Sequence, residues 1–69
     1  MSPDKLAYMA NQIGKFFLSQ KREDGAASIA NHIEKTWDPR MRRAFLTHLH
    51  EMTLDPMVRQ AAERLKMPA

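Results

Sequence analysis

The sequence predicts an all-α fold: a small four-helix domain with short loops. Three observations carry that prediction. Apolar residues recur at steps of three and four through most of the 69-residue chain, which is the period of an amphipathic helix. No segment alternates with period two, so no strand is expected. And three capping residues are each followed at once by proline, at Ser2-Pro3, Asp38-Pro39 and Asp55-Pro56. In each pair the first side chain can accept a bond from an orphan N–H of the first turn. Proline then suits the first helical position, where its missing N–H costs nothing. The spacings of the three starts, 36 and 17 residues, differ, so they do not mark a solenoid repeat.

The first helix is expected over residues 3–20, with Leu6, Met9, Ala10, Ile13, Phe16, Phe17 and Gln20 as its apolar stripe. Gly14 lies inside it at a cost of up to about 1 kcal/mol relative to Ala. Either it admits another helix or it is merely tolerated. Tyr8 falls opposite the stripe, beside Asn11, Gln12 and Lys15. It either lies along the surface or belongs to a second contact face, since exposed tyrosine is enriched at interfaces.

Lys21-Arg22-Glu23-Asp24-Gly25 reads as a loop whose Asp24 caps a second helix over Gly25–Thr36. Ala26, Ile29, Ala30, Ile33 and Trp37 form its stripe, and Asn31, His32 and Lys35 lie on the solvated side. A third helix is expected from residue 39 to about 52, with Met41, Phe45, His48, Leu49 and Met52 on one face and Arg42 and Leu46 on its flank. Thr53-Leu54 is a short connection. The fourth helix starts at Asp55-Pro56, carries Met57, Val58, Ala61, Ala62 and Leu65, and ends near Lys66, a cation suited to the negative end of the helix dipole.

Residues 1–69 make one domain at most. A chain this short removes only about 60% of its unfolded surface from water. Small domains often compensate with disulfides, a metal or a partner. With no cysteine, disulfides, zinc–thiolate sites and iron–sulfur ligation are excluded, which leaves a partner as the expected remedy. The lack of cysteine also fits a reducing, cytoplasmic setting. No signal peptide is read at the N-terminus, and no stretch reaches the roughly 20 apolar residues that cross a bilayer. The net charge of +3 is a mild excess, short of a nucleic-acid-coating tail.

Chemistry-bearing constellations are sparse. His48 and His50, two apart on a helix, point to opposite faces and not to one metal. His48 sits on the apolar stripe and reads as a packed, hydrogen-bonded core or interface histidine. Ser2 is a cap, and Ser19 and Ser28 lie on helices without a neighbouring base. The two glycines, Gly14 and Gly25, build no phosphate loop. No catalytic, cofactor-binding or metal-ligating residue is assigned, and the chain reads as a non-enzyme.

The cluster Arg40, Arg42, Arg43 has three readings. It is a solvated face, a protein interface, or a groove-reading element of a small basic helical nucleic-acid-binding module. Arginine near Trp37 and methionines is a hot-spot composition, and Arg42, beside Leu46 and Leu49, is its leading candidate. Tyr8, Arg40, Arg42 and Arg43 are thus the expected partner contacts. Trp37, Asp38, Pro39, Asp55 and Pro56 are expected to be structural.

Tyr8-Met9-Ala10-Asn11-Gln12-Ile13 with Phe16-Phe17, then Ile29-Ala30-Asn31-His32-Ile33, Trp37-Asp38-Pro39-Arg40-Met41-Arg42, and Leu54-Asp55-Pro56 with Val58-Arg59 cover nearly the whole chain. Together these runs resemble the delta subunit of cytoplasmic NAD-dependent formate dehydrogenase. The Trp-Asp-Pro-Arg-Met run is the most specific part. Residues 46–53 match less closely, and no role is carried over to His48 or His50. The resemblance implies a small accessory subunit of a molybdenum- or tungsten-dependent enzyme. In that family the large subunits hold the pterin cofactor, iron–sulfur clusters and flavin. They would be this chain's partners, and no cofactor is expected on the chain itself. The role implied is assembly, cofactor insertion or stability of the holoenzyme.

Overall fold

Ser2 Oγ accepts a hydrogen bond from the Lys5 N–H at 3.3 Å, and the chain enters α1 (Pro3–Ser19) with proline in its first turn. Asp24 Oδ1 does the same for Ala27 N at 3.1 Å and opens α2 (Gly25–Thr36). Asp38 Oδ1 accepts from Met41 N at 2.9 Å and opens α3 (Pro39–Thr47). A single 3₁₀ turn, Leu49–Glu51, follows, and α4 (Pro56–Arg64) completes the order. This computed structural model describes residues 2–20 and 24–68. Lys21, Arg22 and Glu23 of the expected loop lie outside them.

The core is built around α2, which packs against both α1 and α4, while α3 closes on α1. The stripe expected on α2 is the stripe observed, with Ala26, Ile29, Ala30, Ile33 and Trp37 all buried. Phe45 of α3 is fully buried and meets Trp37 edge-on, with ring centroids 5.3 Å apart. That geometry favours an aromatic pair beyond simple area burial. Val58, Ala61, Ala62 and Leu65 cover the other side of α2 and α1. The Cα radius of gyration, 10.9 Å, is about what a packed chain of this length gives.

On α1 the buried face is turned from the one the periodicity predicts. Leu6, Ala7, Ala10 and Gly14 are the buried residues. Met9, Ile13 and Phe17 pack at the edge, whereas Phe16 is 57% exposed and Gln20 is exposed. The reason lies in the approach of α4. A β-carbon on Gly14 would collide with Val58 Cγ2, so α1 turns its small residues toward its neighbours. Close approach, and not tolerance, explains this glycine.

The third helix is shorter than expected. It stops at Thr47, and His48 takes the cap position, its N–H bonded to the carbonyls of Ala44 and Leu46. After the 3₁₀ turn Met52 and Asp55 are extended, and three backbone polar groups of the linker are bonded from elsewhere. Arg59 Nη2 donates to Met52 O at 2.9 Å. Asn11 Nδ2 donates to Thr53 O at 3.1 Å, and Asn11 Oδ1 accepts from Asp55 N at 3.0 Å. Asp55 occupies the N-cap position of α4, yet its side chain makes no capping bond. The expected cap is therefore corrected: Pro56 opens α4 as foreseen, and Asn11, from the side of α1 opposite the predicted stripe, orders the entry. The last-turn cation is likewise Arg64 and not Lys66, since α4 ends at Arg64. Arg64 Nη1 lies 3.5 Å from Asp24 Oδ2.

Replacing Asn11 by Ala removes both bonds of this clamp and leaves a part-buried N–H at Asp55 without its acceptor. The unfolding free energy should fall by about 1–2 kcal/mol, read as a lower urea midpoint. An unchanged midpoint would show that the clamp contributes nothing in solution.

Candidate interaction surface

The Trp37–Arg42 corner does the folding work its sequence announced. Trp37 is the aromatic plug, Asp38 the cap and Pro39 the helix start. Two of the three arginines beyond it also act within the chain. Arg42 Nη1 donates to Glu34 O at 3.1 Å, one of the orphan carbonyls at the C-terminal end of α2, where a cation also suits the helix dipole. Its Nε is buried without a hydrogen-bond partner. Arg43 Nη2 donates to Pro68 O at 3.2 Å and ties the C-terminal segment to α3. Arg40 is exposed. The corner thus uses Arg42 for its own closure, a role the sequence reading did not give it.

This placement makes a clear prediction. Glu in place of Arg42 loses the bond to Glu34 O and sets an anion at the negative end of α2, which should cost about 1–2 kcal/mol of fold stability. Arg40→Glu should leave the melting curve of the isolated chain unchanged. Equal melting curves for the two variants would remove Arg42 from the helix end.

His48 is not packed in the core. Its side chain is 42% exposed, and Nδ1 lies 2.8 Å from Glu51 Oε2, one helical turn on. His50 Nε2 approaches the same oxygen at 3.9 Å. The hydrogen bond from His48 chiefly holds the Glu51 carboxyl below its ordinary pKa, against an opposing desolvation and with lesser help from the charges of His48 and His50. This is a surface pair closing the 3₁₀ turn. Among the described residues no three His, Asp or Glu side chains converge on a metal-sized site.

Three large apolar side chains of α1 are exposed: Tyr8 at 64%, Phe16 at 57% and Leu18 at 48%. Gln12, Ile13, Phe16, Phe17 and His32 line an apolar groove of about 340 Å³ between α1 and α2. It continues along α2 into a more polar depression of about 270 Å³, walled by Ser28, Asn31, Lys35 and Thr36, with Phe17 and His32 shared. Ring contacts fix the walls: Phe16 meets Phe17 edge-on at 5.2 Å, and Phe17 meets His32 at 5.8 Å. Of these residues Ile13, Phe16 and Phe17 were placed by the sequence on the apolar stripe of the first helix. His32 was read as solvated. Ser28 and His32 share one wall, one turn apart, but no hydrogen bond joins them among the described residues.

Comparison with known proteins gives one family. The sequence model of the family described as NADH-dependent formate dehydrogenase delta subunit FdsD matches residues 5–62. Neither the curated proteins nor the solved structures contain a match to the chain.

Proposed function

The chain belongs to the NADH-dependent formate dehydrogenase delta subunit family, and from that premise we propose that it is a non-catalytic accessory subunit of the formate dehydrogenase complex. It supports assembly, cofactor insertion or stability of the holoenzyme. Catalysis and cofactors reside on the large subunits, which are its partners, and the complex works in the cytoplasm. The observation that carries the reading is the family match over residues 5–62, nearly the whole chain. The chemistry of the chain agrees with it, since a sequence without cysteine supplies no thiolate for an iron–sulfur cluster. No helix among the described residues is long and apolar enough to cross a membrane.

Within this reading the partner contacts are Tyr8 and the exposed corner residue Arg40. Arg42 and Arg43 stand beside them, with part of each guanidinium bound to the chain's own carbonyls. The small net charge of +3 weighs against nucleic acid, which calls for a continuous basic surface. No band shift of DNA or RNA is expected at low ionic strength.

The test is to produce the complex with and without this chain. Formate-dependent NAD reduction per large subunit is measured, along with iron, flavin and pterin content. Low cofactor content from the outset points to insertion. Full content with faster loss of activity on warming points to stability. Identical content, yield and lifetime in the two preparations would sink the proposal.

A further inference from the structure

We propose that the groove between α1 and α2 seats an apolar segment, flanked by acidic residues, of one of the larger formate dehydrogenase subunits. The inference rests on the accessory-subunit reading and adds to it a place and a chemistry. Three observations converge on the occupant.

The groove is apolar where it is deepest. Ile13, Phe16 and Phe17 form one wall and the His32 ring the other, and Phe16 is 57% exposed with its ring braced against Phe17. A braced aromatic beside an open groove resembles an interface anchor, because little conformational freedom remains to be lost on binding.

The charged side chain that lines the groove and its extension among the described residues is basic: Lys35, in the polar extension. Among the described residues no Asp or Glu lines either depression. Glu34 lies on the other flank of α2, where its carbonyl receives Arg42. Charge complementarity therefore calls for carboxylates on the occupant.

The same charge disfavours a second copy of this chain. A two-fold contact sets identical surfaces against each other, so the lining of a second groove would offer Lys35 no carboxylate. Nucleic acid is disfavoured by the apolar lining and by the sparse lysines, which form no continuous stripe.

The test uses the full complex. A photo-crosslinking phenylalanine analogue is placed at Phe16 and, in a separate preparation, at Arg40, and crosslinked peptides are identified after illumination. The expected product from position 16 is a peptide of a larger subunit with apolar residues bracketed by Asp or Glu. Phe16→Ala should weaken capture of the larger subunits by about tenfold or more while the isolated chain melts as before. The result that overturns the proposal is a complex that assembles normally with no crosslink from position 16, or with one to a basic peptide, to nucleic acid or to another copy of this chain. Unweakened capture by the Phe16→Ala chain overturns it as well. If the unsubstituted chain assembles with no formate dehydrogenase subunit at all, the accessory-subunit reading fails first and the groove assignment falls with it. The two failures are thereby distinguishable.

Discussion

Phe45→Ala is expected to leave the isolated chain largely unfolded or close to its unfolding midpoint at room temperature. Phe45 is the largest fully buried side chain and stands edge-on to Trp37. Truncating it removes the transfer free energy of the ring, opens a cavity and loses the aromatic pair, for a cost of about 3–5 kcal/mol. A domain this size has roughly 3–10 kcal/mol of total stability, so one substitution consumes much of it. The circular dichroism signal at 222 nm against temperature reads the outcome. A variant that melts within a few degrees of the parent would mean that the Trp37–Phe45 contact is not the centre of the fold.

Gly14→Val should be the next most damaging change, for the opposite reason. Here the helices are too close for added atoms. A β-carbon at position 14 meets Val58 Cγ2, and Val58 is itself fully buried and β-branched, so it has little freedom to turn away. Overpacking of this kind costs about 1–3 kcal/mol. Gly14→Ala is the finer probe, because alanine brings about 1 kcal/mol of helix propensity to set against the clash. Pairing it with Val58→Ala should recover the part due to the clash, in the manner of a double-mutant cycle. A Gly14→Val chain as stable as the parent would show that α1 and α4 do not approach as closely as described.

Much of the architecture was legible because each helix start carries its own signal. Ser2, Asp24 and Asp38 cap as their positions announce, and α2 buries the stripe its periodicity marks. The misplaced face of α1 has a physical cause. Hydrophobic periodicity weighs side chains by size, so Phe16 drew the stripe toward itself, whereas the packing was decided by the absence of side chain at Gly14 and its small neighbours. Similarly, nothing local marks the end of α3. Neither glycine nor proline follows Thr47, and the stop is made by His48 at the cap and the 3₁₀ turn its Glu51 bond closes.

The tertiary polar contacts were the least legible. Asn11 reaches a linker more than 40 positions along the chain, and Arg42 reaches the end of the preceding helix. Neither partner can be read from the residue's own helix: Asn11 lies opposite the predicted stripe and Arg42 on the flank of another. A faint signal existed for Asn11, since asparagine is a poor helix-interior residue and invites a reason for its presence. For the groove there was none. It arises where the exposed edge of α1 meets His32, a juxtaposition that only the packing of two helices creates.

The central claim is that this chain is a subunit of a formate dehydrogenase, and the most direct measurement is the mass of the native complex it joins. An affinity tag on the chain, expressed at natural levels in its own host, should retrieve formate dehydrogenase subunits. Native mass spectrometry of the eluate should then show a species containing them together with one or more copies of the 8.0 kDa chain. A tagged chain that elutes alone, while active formate dehydrogenase of unaltered mass remains in the flow-through, would contradict the account.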